Sequence, residues 1–132
     1  MNKKLDLLGK SDQFTQLAYI SHTGKALSEK ELQHIKIHYR RKQRSLNITG
    51  ILIYDFSKLF HILEGTVLSI DTFIGDIRTD IHHKEINVIY TNQKCSEREF
   101  GRWFMTQESI THTQDSRVKK ILNYVGSELD LI

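Results

Sequence analysis

A tyrosine, a histidine and a few polar side chains are the residues of this chain equipped for chemistry. Tyr19 stands in the apolar run Gln16 to Ser21 (QLAYIS). A buried phenol there is a redox-capable hydrogen-bond donor and acceptor; taken alone, it reads as an ordinary strand tyrosine. His61 stands in Phe60-His61-Ile62-Leu63-Glu64-Gly65. A neutral imidazole holds one donor and one acceptor nitrogen in fixed places, and unlike an amide it can change charge near neutral pH. The alternative is a histidine that fills space beneath helices. His34 and His38 share an i, i+4 spacing that can chelate zinc, but no third ligand stands at a suitable distance in sequence, so no metal is expected. Cys95 is the single cysteine and has neither a base nor a metal partner beside it. No serine elbow, phosphate-binding loop or dinucleotide-binding glycine pattern occurs, so hydrolase or nucleotide-transfer chemistry has no support and the chain is not expected to be an enzyme.

The elements that must position these residues fit one domain of 132 residues. No apolar run approaches the ~18 residues that span a bilayer. Met1 to Lys10 is polar, with charges at Lys3, Lys4 and Asp6 and no signal-peptide core, which together with the lone cysteine points to the cytoplasm. The net charge of +3 lies mostly between Lys36 and Arg44. That stretch is either a solvated helix end whose cations complement the dipole or a contact for a phosphate or nucleic acid. No proline, repeat or low-complexity stretch marks an internal linker.

Gln16 to Ser21 reads as a first strand, closed by His22-Thr23-Gly24. Ser28 and Glu31 have capping-box spacing, and Leu32, Ile35 and Tyr39 recur at helical intervals, so a helix is predicted over about Glu29 to Arg41. Ile51 to Tyr54 and Lys58 to Leu63 (KLFHIL) form a strand hairpin. Ile70, Phe73, Ile74, Ile77 and Ile81 set one apolar stripe on a second helix of about four turns. Ile86 to Tyr90 makes a fourth strand and Trp103 to Thr106 a fifth.

The order βαββαββ predicts a ferredoxin-like α+β (α/β) fold: a mostly antiparallel five-stranded sheet with two helices on one face. Val118, Ile121, Leu122 and Val125 form a further stripe, and a helix from about Asp115 to Gly126 either covers the other sheet face or builds a dimer interface. The expected division is an N-terminal extension over 1–14, a domain over 15–110 and a C-terminal helical cap over 111–132. An RNA-binding sheet of this order would carry an aromatic stacking motif flanked by basic and glycine residues, which is missing, so nucleic acid is not the expected partner.

Three strings carry a family resemblance. Ile48-Thr49-Gly50-Ile51-Leu52 is similar to an ITG-x-L strand entry, Phe60-His61-Ile62-Leu63-Glu64-Gly65 to an F-x-x-LEG strand end, and Trp103-Phe104-Met105 to a W-x-M strand. With Tyr19 at the first-strand tyrosine and Asp80 in the second helix, Leu17 to Gln107 resembles the BLUF domain, the flavin-based blue-light sensor. The resemblance implies FAD held non-covalently between the two helices. It also implies that Tyr19 donates to the excited flavin, and that a third-strand glutamine rearranges its amide and passes the signal to the W-x-M strand. Tyr19, Ile35, Lys42, Gln43, His61 and Asp80 are then the expected cofactor-binding positions, and Tyr19, His61, Trp103 and Met105 the expected signalling ones.

Several of these positions depart from the family. His61 replaces the switching glutamine, so any bridge between Tyr19 and a flavin works through a tautomer or charge change. Lys42 and Gln43 stand where asparagines read the polar edge of the ring; Lys42 offers donors only, while Gln43 is a partial substitute. Asp76 replaces a basic residue and forms a like-charged i, i+4 pair with Asp80, unfavourable by a few tenths of a kcal/mol. Tyr39 stands where a small side chain is usual and can take up part of the cavity. The expected function is a BLUF-type sensory or regulatory domain with an altered or lost photocycle. It would act on a protein partner, because the remaining residues leave no room for an output domain. The alternative is a flavin-free interaction module on the same scaffold.

Overall fold

The computed structural model describes residues 14–80 and 85–126. The sequence folds into strand β1 (Phe14–His22), helix α1 (Glu29–Ser45), strands β2 (Thr49–Asp55) and β3 (Lys58–Gly65), helix α2 (Val67–Ile77), strands β4 (Glu85–Cys95) and β5 (Trp103–Gln107), a 3₁₀ turn at Ile110–His112 and helix α3 (Ser116–Val125). The sheet order is β4-β1-β3-β2-β5. β1 pairs antiparallel with β3 and β4, β2 antiparallel with β3, and β2 parallel with β5. This is the expected ferredoxin-like arrangement, with the fifth strand added beside β2.

Local chemistry fixes where α1 begins and ends. The Ser28 hydroxyl accepts from the Glu31 amide at 3.1 Å, and the Glu31 carboxylate accepts from the Ser28 amide at 2.9 Å, completing the capping box. The helix runs one turn past the expected Arg41, to Ser45. Its buried stripe is Ile35, Tyr39 and Gln43. Because the third member is polar, apolar periodicity stops short of it. Asn47, at φ 54°, then turns the chain towards β2.

α2 is shorter than its apolar stripe suggested. Thr66 caps its start and it ends at Ile77, with Arg78 as its C-cap. Asp80 therefore lies in the following turn and not on the helix, which removes the expected like-charged helical pair with Asp76. Ile81 and the pair His82-His83 lie outside the described residues, as does nearly all of the expected N-terminal extension. β4 runs to Cys95, five residues beyond Tyr90, because it pairs along β1 back to Phe14 with two register shifts. It is an edge strand that is largely exposed and polar at its end, so burial gave no sequence signal there.

Each face of the sheet has its own core. On one face, Ile35 and Tyr39 of α1 and Ile70, Phe73, Ile74 and Ile77 of α2 pack on Tyr19, Leu52, Leu59 and Leu63. On the other, Val118, Ile121 and Val125 of α3 pack on Ala18, Ile20, Ile51, Ile53, Phe60 and Ile62. α3 thus covers the sheet, one of the two roles open to it in sequence. Asp115 starts α3 by accepting from the amides of Arg117 and Val118. Among the described residues no helix is long and apolar enough to cross a membrane.

Two features lock β5 into place. Gly50 has φ +147°, and a Cβ there would stand 1.8 Å from the Ile62 carbonyl oxygen, so only glycine lets β2 approach β3 at the level of Trp103. The buried Glu64 carboxylate accepts from the amides of Glu99 and Phe100 and from the Gln16 side chain at 2.7 to 3.0 Å. Arg98 meanwhile donates to the Glu64 and Asn47 carbonyls. The segment leading into Trp103 is therefore tied to the end of β3.

Candidate functional site

Tyr19 and His61 are directly opposite in the β1–β3 register. Their side chains meet under the helices, the Tyr19 hydroxyl 2.8 Å from His61 Nδ1. Trp103 Nε1 donates to His61 Nε2 at 2.9 Å. Tyr19 and His61 are fully buried and Trp103 is 6% exposed. The indole N–H can only donate, so His61 Nε2 must be the acceptor and the ring hydrogen sits on Nδ1. Nδ1–H then donates to the Tyr19 oxygen. A three-residue relay, Tyr19 to His61 to Trp103, thus connects β1, β3 and β5 with its proton placement fixed by the tryptophan. Burial first, and the nearby Asp80 carboxylate second, push the Tyr19 phenol well above its ordinary pKa.

Above this relay, between the helices, lies Tyr39. It is 1% exposed. Its ring is nearly parallel to that of His61, with centroids 6.3 Å apart and an interplanar angle of 7°, and meets Phe73 edge-on at 5.4 Å. Its hydroxyl donates to Asp80 Oδ2 at 2.9 Å. Its own pKa is raised, chiefly by burial and then by Tyr19 and Asp80, so it is a neutral phenol. Lys42 Nζ reaches Asp76 Oδ2 at 2.8 Å and joins α1 to α2 over the cleft. The cavity left there is about 190 Å³, below the ~300–1,000 Å³ of pockets that enclose drug-sized ligands. His34 and His38 stack at its mouth, centroids 5.9 Å apart.

The expected site residues are only partly brought together. Tyr19, His61 and Trp103 are brought together, and Asp80 joins them through Tyr39. Lys42 and Gln43 are adjacent in sequence, and Gln43 continues the buried stripe of Ile35 and Tyr39. Lys42 lines the cleft between the helices, whereas Gln43 lines a separate groove of about 450 Å³ with Arg40, Arg44, Asn47 and Arg102. Gln43 is completely buried and neither amide atom has a hydrogen-bond partner. Ile35 is a core residue under α1. Met105 lies in the same cross-strand row as His61 with Leu52 between them, and lines a third groove with Leu32 and Tyr54. Phe73 was legible only as part of an apolar stripe. Its role as a wall against both Tyr39 and His61 comes from tertiary packing.

The chain matches the BLUF family, described as sensors of blue-light using FAD, over residues 14–106. It is 27% identical over 82 residues to the photoactivated adenylate cyclase subunit alpha of Euglena gracilis, spanning 61% of this chain and 8% of that protein. It is 23% identical over 121 residues to the subunit beta of Euglena longa, spanning 88% of this chain and 14% of that protein. A bacterial light-regulated adenylyl cyclase structure superposes with a TM-score of 0.68 at 26% identity, covering 89% of this chain and 34% of that one. The BlrP1 BLUF structure superposes with a TM-score of 0.64 at 23% identity, covering 86% of this chain and 76% of that one, a likeness of fold. The family match takes in both helices of the cleft and every residue of the relay, and on that span this chain belongs to the BLUF family, the sensors of blue light using FAD.

Proposed function

We propose that this chain is a BLUF-type regulatory domain that acts by contact with a protein partner, has lost the glutamine-type photocycle, and keeps the slot between its helices closed with Tyr39. The observation that carries this reading is His61 bridging Tyr19 and Trp103. A glutamine switch works because one amide end donates, the other accepts, and the two can change places. His61 has no such freedom while Trp103 requires an acceptor at Nε2. What the relay retains is connection: a change at Tyr19 reaches β5 through two hydrogen bonds.

The cofactor of the family is FAD. The side chains of this slot, as arranged, do not fit a three-ring isoalloxazine. Tyr39 lies stacked over His61, and the Lys42–Asp76 ion pair closes the cleft. Tyr39 must leave before a ring of that size enters. No photochemical step is therefore assigned to these residues, and contact with a partner, not catalysis, is the activity proposed.

Light-minus-dark absorption of the protein refolded with FAD tests the loss of the photocycle. The expected result is no reversible red shift in the unaltered chain, and none in His61→Gln alone, with a shift appearing only when Tyr39→Ser accompanies it. A reversible red shift in the unaltered chain would overturn the proposal.

A further inference from the structure

We infer that His61 is a proton-operated latch on β5: when its ring takes up a second proton, the hydrogen bond from Trp103 is lost and the indole swings out of the core into the groove beside α1. In the neutral ring the hydrogen sits on Nδ1, and Nε2 accepts from Trp103 Nε1 at 2.9 Å. The added proton can only go to Nε2. Two N–H groups then point at each other, and the indole has no acceptor to offer in return. The Tyr19 end of the ring needs no such change, because Nδ1–H faces the hydroxyl oxygen in both states. Charging His61 therefore releases β5 and leaves the contact with β1 in place.

The surroundings of the ring suit a change of charge. Tyr19 faces it from β1, Tyr39 from α1, Phe73 from α2 and Trp103 from β5, while Leu52 lies opposite it on β2. Phe73, Trp103 and Leu52 do not titrate, and burial pushes both phenols up, so neither loses its proton near neutrality. An imidazole does change charge there. Lys42 and Asp76 pair with each other across the cleft. Asp80 accepts from the Tyr39 hydroxyl, and its charge acts on Tyr19 as well as on Tyr39, the two phenols that face the imidazole. An anion is thus already in place for a positive ring. The indole also has somewhere to go: Trp103 is 6% exposed and lines the groove of about 450 Å³ beside α1. β5 is an edge strand paired only with β2, so its displacement breaks no second ladder. That a partner reads the movement of β5 rests on the regulatory function proposed above, whereas the proton step needs only His61 and Trp103.

Trp103 is the only tryptophan of the chain, so its fluorescence reports on the latch. The test is titration of the whole chain without flavin from about pH 8 to about pH 5, the range that brackets an ordinary histidine. Acrylamide quenching of the tryptophan is read at each pH, with far-ultraviolet circular dichroism as the measure of folding. We expect a one-proton transition in which the quenching constant rises at least about twofold towards acid while the dichroism stays unchanged. His61→Gln keeps an acceptor for the indole and does not titrate, so its quenching should stay at the neutral level throughout. A flat response in the folded unaltered chain, the same transition in His61→Gln, or a rise that appears only as the dichroism is lost would each overturn the inference. A reversible red shift with FAD would instead refute the regulatory reading, and the titration of the flavin-free chain would still decide the latch.

Discussion

Replacing Gln43 by leucine should make this protein more stable, which is the opposite of what most substitutions at a fully buried position do. The two side chains are close in size, so the change leaves little cavity. What it removes is an amide whose donor and acceptor are both buried without partners. Leaving a buried polar group unsatisfied costs ~1–3 kcal/mol, and an apolar replacement of the same shape recovers that cost. A gain of about 2 kcal/mol, with a urea dependence of ~2 kcal/mol per molar for a domain of this size, moves the unfolding midpoint up by about 1 M at unchanged slope. Equilibrium urea unfolding followed by far-ultraviolet circular dichroism measures both. A loss of more than about 1 kcal/mol would refute the reasoning, because it would mean that the amide is hydrogen-bonded in the free protein and that the floor of the α1 groove is already satisfied.

Three further outcomes follow from the same structure. Gly50→Ala should cost about 3 kcal/mol or more in chemical unfolding, because its Cβ would be driven into the Ile62 carbonyl oxygen at a φ that side chains rarely adopt; a loss below about 1 kcal/mol would show that β2 and β3 can separate freely. Trp103→Phe deletes the donor to His61 Nε2 and should cost about 1–3 kcal/mol; a neutral result in thermal unfolding would argue against that hydrogen bond. Asp115→Ala removes the cap of α3 and should cost about 1 kcal/mol at neutral pH. The Asp115 carboxyl is held below its usual range, first by the hydrogen bond from the Arg117 side chain. Its stabilising effect is therefore present in full above the ordinary carboxylate range and fades as pH falls through the lowered folded value, so the two unfolding curves should converge in acid.

Much of the fold was written locally. The capping box at Ser28 and Glu31, the apolar stripe of α2 and the alternation in β2 and β3 each specify an element without help from distant residues, and the order of elements along the chain follows from them. The boundaries that moved are those set by tertiary contacts. α1 continues through Gln43 although its apolar pattern stops at Tyr39, and β4 follows β1 past Tyr90 although its own residues are polar. Asp80 was read onto α2, but the helix ends at Ile77, and that displacement lets its carboxylate accept from Tyr39.

The site was legible in kind more than in arrangement. Sequence brought Tyr19, His61 and Trp103 into one list, and the register of β1, β3 and β5 places them in hydrogen-bond contact. Sequence could not say that Lys42 and Gln43, one residue apart, serve different grooves. Helical geometry turns successive side chains by about 100°, and here that turn separates an interhelical ion pair from a buried amide. Nor could it reveal Arg102 as a neighbour of Arg40 and Arg44, since only the parallel pairing of β5 with β2 brings them together.

The most direct test of the account is how much FAD stays with the protein after refolding in its presence and gel filtration, compared between the unaltered chain and Tyr39→Ala. Loss of the ring enlarges the 190 Å³ cleft between α1 and α2, so the variant should elute yellow and the unaltered chain colourless. An unaltered chain that carries one FAD per molecule, with Tyr39→Ala no better, would contradict the claim that Tyr39 closes the slot.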